Sequence, residues 1–415
     1  MVGVGQGAIG APSAAHPAPA FALAPGFLAG ASACGLKSGG ALDVALVVAH
    51  RPATAAGVFT TNRFAAAPVL YDREILARES SEVRAVVANA GCANACTGPE
   101  GLADARQMAA LAAQAIACPP ESVLVLSTGV IGVPLDMEKV ERGIRTAADR
   151  LGEDAADAAR AVMTTDTRPK VAASEAVLAG GPVVLRGFAK GAGMIHPDMA
   201  TMLAILTTDA TVSRERLDRA LRSAVAASFN RISVDGDMST NDTVLALASG
   251  DSGIEVGAED EPAFSAALTA ACASLARQIA RDGEGATCLI EIAVNGAADE
   301  AQAHAVADSI ARSCLVKTAI HGGDPNWGRI LAAAGYAGVA LDPNRIELRF
   351  GPPERELRVI ANGRRSNCDA REAAALLRLD PVHITLDLGL GEARSTVWTC
   401  DLSADYVAIN AHYTT

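Results

Sequence analysis

KGAGMIHPDMATML, residues Lys190 to Leu203, decides more about the fold than any other stretch of this 415-residue chain. Gly191 and Gly193 free the backbone, Pro197 stops a helix from running through, and an apolar run of strand character begins at Thr201. A threonine between Ala200 and Met202, opening a buried strand just after a Gly/Pro-rich loop, has the setting of an N-terminal nucleophile. A hydroxyl alone is weak. Cleavage before Thr201 would free an α-amine beside it, with an ordinary pKa of about 7.7–8.0, and that amine can act as base. The plainer reading is a strand-start residue in a tight loop, and residue type alone favours it.

On both sides of this stretch, short β-branched runs alternate with Ala- and Leu-rich helical ones, the pattern of a layered α/β protein. The runs predict strands at Asp43–Ala49, Arg84–Ala88, Val123–Leu126, Pro182–Arg186, Leu203–Thr207, Cys288–Val294 and Val382–Leu388. Helices are predicted at Ala103–Ala117, Met137–Leu151, Arg214–Ser228, Pro262–Arg281 and Glu300–Ser313, with Pro262 opening a helix and Gly283 following its end. No fixed-period repeat and no long internal linker interrupts the chain.

Composition narrows the function. The formal net charge is −12, which excludes a general nucleic-acid or anionic-membrane binder. Half the residues are hydrophobic but only 3% are aromatic, so the core is built from Ala, Val, Leu and Ile with close backbone packing. Nine cysteines is an odd number and points to a reducing, cytoplasmic compartment. Residues 1–36 carry no Lys, Arg, Asp or Glu, so neither a basic signal region nor an Arg-rich transit face is expected, and four prolines break any spanning helix there. Residues 1–24 read as a disordered tail.

Several motifs yield to plainer readings. Gly5-Gln6-Gly7-Ala8-Ile9-Gly10 matches a dinucleotide fingerprint but lacks the strand that must precede it. Asp235-Gly236-Asp237-Met238-Ser239 has a calcium-loop start, with Thr240 where Gly is needed and Ala246 where Glu is needed. Cys92 and Cys96 have no second pair at zinc spacing. No metal and no nucleotide cofactor is expected.

KGAGMIHPDMATML closely resembles the self-cleavage motif of the ornithine acetyltransferase family, the bifunctional glutamate N-acetyltransferases of arginine biosynthesis. The resemblance continues through RPATAAGVFTTNR (Arg51–Arg63), STGVIG (Ser127–Gly132), MTTDT (Met163–Thr167) and SVDGDMSTNDT (Ser233–Thr243). It runs on through DGEGAT (Asp282–Thr287), HGGDPNWGRI (His321–Ile330) and INAHYTT (Ile409–Thr415), covering the chain from about residue 25 onward. It implies an α/β layered sandwich cut between Ala200 and Thr201 into an α chain (25–200) and a β chain (201–415), two of each forming a heterotetramer.

The same resemblance implies the roles of individual residues. Thr201 is both the self-cleavage residue and the acyl acceptor. Thr128 and Gly129 form the oxyanion pair, a hydroxyl and a backbone N–H set where a carbonyl oxygen gains charge. Thr167, Lys190, Thr201, Glu284, Asn410 and Thr415 bind substrate, the Lys and Glu offering opposite charges to an amino acid with a carboxylate and an ammonium. Without the resemblance, Thr128-Gly129 is an ordinary turn, and Lys190 and Glu284 are solvated charges. The family usually has Asn where this chain has Cys92 and Lys where it has Cys288, which alters the charge balance four residues from Glu284.

The implied reaction moves acetyl from N-acetylornithine to glutamate, giving ornithine and N-acetylglutamate, with acetyl-CoA as an open second donor. A rival base is a histidine, His196 or His321, and a loop histidine is more often structural. Two other functions remain open: a self-cleaving hydrolase or aminopeptidase that passes the acyl group to water, and a non-catalytic binding protein that stays uncut.

Overall fold

The computed structural model describes residues 21–78, 82–196 and 202–412. In it, runs of small aliphatic residues pair into two sheets. The larger uses β1 (Phe27–Ser32), β2 (Val44–Phe59), β3 (Glu82–Cys92), β4 (Val123–Val130), β5 (Lys170–Leu178), β6 (Gly181–Lys190), β7 (Leu203–Thr208) and, past the short β8 (Ile232–Ser233), β9 (Thr243–Ala248). Its order is β4-β3-β2-β9-β7-β6-β5, with β1 paired to β2. β8 belongs to the smaller sheet, with β10 (Leu289–Ala297), β11 (Glu347–Phe350), β12 (Leu357–Ala361), β13 (Arg364–Arg365), β14 (Val382–Asp387) and β15 (Ala393–Cys400), ordered β13-β12-β11-β14-β10-β15-β8.

The central strands of the larger sheet are apolar on both faces because helices cover both. Leu203 and Ile205 of β7 and Leu245 and Leu247 of β9 face one core; Ala204, Leu206, Val244 and Ala246 face the other. That is the period of two expected of a doubly covered strand. The first core is closed by α1 (Ala67–Leu76), α2 (Gly98–Ile116), α3 (Met137–Ala148) and α4 (Ala156–Ala161). The second is closed by α5 (Arg214–Ala226), whose Ser213 cap accepts the Arg216 amide, and by α6 (Glu261–Arg281). A third core joins the smaller sheet to α7 (Glu300–Ala311), α8 (Cys314–His321), α9 (Trp327–Gly335) and α10 (Ala370–Leu376). α11 (Ala404–His412) follows β15.

All seven strands and five helices expected from the sequence are present, most of them near their expected bounds; the strand expected at Asp43–Ala49 continues to Phe59, and the α/β layering holds. The strand read as opening at Thr201 opens at Leu203; Ala200 and Thr201 lie outside the described residues. So do residues 1–20. Leu23 and Ala24, within the stretch read as tail, are buried, and the Ala24 amide donates to Thr207 Oγ1 at 3.0 Å, so packing begins before residue 25. Among the described residues no helix is long and apolar enough to cross a membrane.

Asp72, on α1, is fully buried, with one oxygen accepting the Val125 amide at 2.8 Å. Burial pushes its carboxyl well above the usual carboxylate range, and the Val125 bond offsets this only in part. The folded state therefore holds this proton more tightly than the unfolded chain does. Stability falls as pH rises from the unfolded value of about 4 toward the folded one. Asp72→Asn is expected to remove that loss, so as pH rises above the unfolded value of about 4 the wild-type Tm should drop relative to the variant's. Parallel Tm curves would mean that Asp72 does not titrate in this window.

Candidate active site

β4 ends in Ser127-Thr128-Gly129-Val130, and here the parallel pairing of β3 with β4 breaks register between Gly91 and Cys92. The two backbones touch. A Cβ on Gly129 (φ 130°) would stand 2.3 Å from the Gly91 carbonyl carbon, so no other residue fits. Thr128 is 5% exposed, and its hydroxyl accepts from Lys190 Nζ at 3.4 Å. An ammonium can only donate, so the Thr128 proton stays free for another acceptor.

Lys190 is the last residue of β6 and pairs with Leu203 of β7, which places it beside the chain that re-enters the sheet after Thr201. It is 3% exposed. Burial lowers its pKa and nearby Lys170 adds to this, while Asp166, Asp242 and Glu284 work the other way; the net direction is down. The loop beyond it is held by Asp235, whose carboxylate accepts the amides of Met194 at 2.6 Å and Ile195 at 2.9 Å, pinning Met194 at a left-handed φ of 58°. Those bonds explain the calcium-like DGD sequence: Asp235 binds backbone N–H groups.

Glu284 follows the end of α6 and is 8% exposed, with Oε2 accepting from Asn410 Nδ2 of α11 at 2.8 Å. A Cβ on Gly193 would lie within 2.4 Å of the Glu284 carboxyl, so this glycine lets the loop close on the acid. Asn241 ties the opposite wall to the end of β4, its Nδ2 donating to Ala93 O at 2.7 Å and Ser127 O at 2.8 Å. Asp242, fully buried, accepts the Met202 amide at 3.0 Å, and burial pushes its carboxyl well up.

These groups enclose a cavity of about 270 Å³ onto which Thr128, Gly129, Lys190, Glu284 and Asn410 all open. Thr167 does not join them. Its amide (3.0 Å) and hydroxyl donate to Asp282, and it opens on a neighbouring hollow; Thr164 and Thr165 of the same MTTDT block line the cavity in its place. Thr201 and Thr415 lie outside the described residues. The sequence reading missed Asp235, Ser239, Thr240, Asn241 and Tyr406, which also line the cavity; the run of hydroxyls, acids and amide in SVDGDMSTNDT was the available signal for the first four, and nothing local marked Tyr406.

Neither His196 nor His321 is among the described residues lining the cavity. His321 Nδ1 sits 2.7 Å from Asp401 Oδ2 at a separate hollow that Cys288 also lines, so the Cys288 departure faces away from Glu284's cavity. Burial, then Asp401 and Asp380, push the Cys288 thiol up to about 12. A larger groove of about 640 Å³ between β2 and α5 holds none of the assigned residues, and its Arg73 and Arg214 are engaged by backbone carbonyls.

Residues 28–415 match the ArgJ family. An arginine biosynthesis bifunctional protein ArgJ from Symbiobacterium thermophilum is 50% identical over 396 residues, covering 94% of this chain and 97% of its own. One from Thermotoga neapolitana is 46% identical over 376 residues, 90% of this chain and 95% of its own. A crystal structure of arginine biosynthesis bifunctional protein argJ from Bacillus halodurans is 44% identical, covering 50% of this chain and 97% of that one, with a TM-score of 0.48.

Proposed function

The chain belongs to the ArgJ family, and from that premise we propose that Thr201 carries acetyl from N-acetylornithine to glutamate across the 270 Å³ cavity. Acetyl transfer in arginine biosynthesis is its activity. The observation that carries the mechanism is the meeting, in one cavity, of a buried cation, a buried carboxylate and the Thr128-Gly129 strand end, beside the β6–β7 connection.

Cleavage after Ala200 leaves Thr201 with a free α-amine. That amine takes the hydroxyl proton as Oγ attacks the acetyl carbonyl, while the Thr128 hydroxyl and Gly129 N–H receive the oxyanion. The tetrahedral intermediate collapses, the C–N bond breaks, and the ornithine amine departs with the proton. Glutamate's amine then attacks the acetyl-threonine ester, the acetyl C–O bond breaks, the proton lost by the attacking amine returns to Thr201 Oγ through the α-amine, and N-acetylglutamate leaves. Lys190 suits a substrate carboxylate; Glu284, steadied by Asn410, suits an ammonium. Thr415 is an assigned substrate contact in this reading, whereas Thr167, bonded to Asp282 and open to the neighbouring hollow, is not. The α and β chains assemble as a heterotetramer in the cytoplasm, a compartment supported by nine unpaired cysteines.

The test is purified protein given N-acetylornithine and glutamate, with and without acetyl-CoA. Ornithine and N-acetylglutamate should form in equal amounts, with parallel lines when both substrates are varied. Free acetate in place of N-acetylglutamate would make the enzyme a hydrolase. Product from acetyl-CoA and glutamate alone would establish the second donor.

Neutralising either buried charge should weaken its substrate contact about ten- to a hundredfold, the equivalent of a charge-assisted hydrogen bond of roughly 1.5–3 kcal/mol. The two losses should differ. Both substrates carry an α-carboxylate, so Lys190→Met should impair both half-reactions, whereas Glu284→Gln should impair the ornithine side more, because Glu284 repels the glutamate side chain. Equal, small losses in separately measured half-reactions would remove both residues from the site.

A further inference from the structure

Behind the cavity, and not among its lining, lies a lysine that the reaction above does not use. Lys170 opens β5 and is 0% exposed. Its Nζ stands 2.6 Å from Asp166 Oδ1 and 2.5 Å from Asp282 Oδ2, two partners 116 residues apart in sequence on opposite sides of the Ala200-Thr201 bond. Each carboxylate has a second task. Asp166 accepts the amide of Thr164 at 3.0 Å and that of Gly191 at 2.7 Å; Thr164 lines the cavity, and Gly191 directly follows Lys190. Asp282 accepts the amide and hydroxyl of Thr167 and stands two residues before Glu284.

One buried ammonium thus joins the Thr164–Thr167 turn and the start of the 191–196 loop to the turn that presents Glu284. We propose that Lys170 is a positioning residue for acetyl transfer: it clasps the two walls of the cavity through Asp166 and Asp282 and balances the charge around Lys190. This rests on the reading that Lys190 holds a substrate carboxylate as an ammonium.

The charge argument runs through the groups around Lys190: Lys37 from the loop after β1, Asp166 from the turn before β5, Lys170 from β5, Asp242 before β9 and Glu284 after α6, with Asp235 and Asp237 of the loop after β8 lining the same cavity. Burial and the neighbouring lysines disfavour the Lys190 ammonium; the carboxylates favour it. Burial alone would raise Asp166, but Lys170 and Lys190 hold it well below the usual carboxylate range, so its negative charge is fixed at working pH. Removing the Lys170 charge leaves Asp166 to Lys190 alone and favours the Lys190 ammonium to higher pH. Removing the Asp166 charge does the reverse.

The experiment measures kcat/KM for N-acetylornithine against pH in the full-length protein, for wild type, Lys170→Met, Lys170→Arg and Asp166→Asn. The alkaline limb should move up by at least about half a pH unit in Lys170→Met and down by a similar amount in Asp166→Asn. Lys170→Arg keeps the charge but not the single-atom clasp, so its limb should stay in place while kcat falls at least about tenfold. Limbs that stay put in all three, or move the same way in Lys170→Met and Asp166→Asn, overturn the proposal. If Lys170→Met does not accumulate folded, the opposed behaviour of Asp166→Asn and Lys170→Arg decides it. Lys190→Met tests the underlying reading by itself: an unchanged alkaline limb there removes Lys190 from the substrate. The clasp is then judged by amide hydrogen exchange, which should quicken at both Thr164–Thr167 and Asp282–Glu284 in Lys170→Arg; wild-type exchange at both turns overturns it.

Discussion

Thr201→Ala is expected to run on a denaturing gel as one uncut chain and to release no ornithine from N-acetylornithine. Wild type should give two pieces, 1–200 and 201–415. The expected effect is total, because in the proposed reaction the hydroxyl breaks its own chain, frees the base and carries the acetyl group. Thr201→Ser keeps the hydroxyl and should still be cut, with turnover reduced. Two results would sink the assignment: an active wild type that shows only full-length chain, or a Thr201→Ala protein that turns over within about tenfold of wild type.

The next largest effect is expected from Thr128. Loss of one oxyanion donor from a preorganised site costs about 10²–10³ in kcat. Thr128→Ala should show that loss with little change in KM, since the hydroxyl is assigned to the charge that develops during attack and not to the resting substrate. The setting favours the upper part of the range: the side chain is 5% exposed, Lys190 donates to its oxygen, and the strand beneath it is locked by the Gly91–Gly129 contact. Thr128→Ser should recover most of the rate. A loss below tenfold would make Thr128 a turn residue, the reading that Ser-Thr-Gly supports by itself.

How much of this was legible depends on how far each feature is carried by neighbouring residues. β4, β6 and β7 are aliphatic runs and are found near their expected bounds. β2 was legible only over its first half: His50-Arg51-Pro52 ends the apolar pattern, yet the strand continues to Phe59, absorbing the interruption as a register shift between Val48 and Ala53. β5, KVAASEAVL, was missed because alanine and glutamate are weak strand formers, and its pairing along the whole of β6 overrides that preference. In the site, Lys190, Glu284 and Thr128 were reached through the resemblance, since nothing local distinguishes them from solvated charges or a turn. The Asp166–Lys170–Asp282 clasp was not reached at all. Lys170 and Asp282 are 112 residues apart, and their pairing exists only once β5 and the end of α6 are packed together.

The strand order of the larger sheet has a consequence for when the proposed cut can happen. Reading across it, β4, β3 and β2 precede residue 200, β9 and β7 follow it, and β6 and β5 precede it again. The later segment is woven into the earlier one, flanked on both sides. The earlier piece made separately holds β1 to β4 and the pair β5–β6 but lacks β9 and β7, which join them, so in the proposed reaction assembly of the sheet comes before the cut. If the proposed cut occurs, it would proofread synthesis: a chain that had not folded would not free its amine and would stay inert, and the broken bond would certify that the molecule folded first.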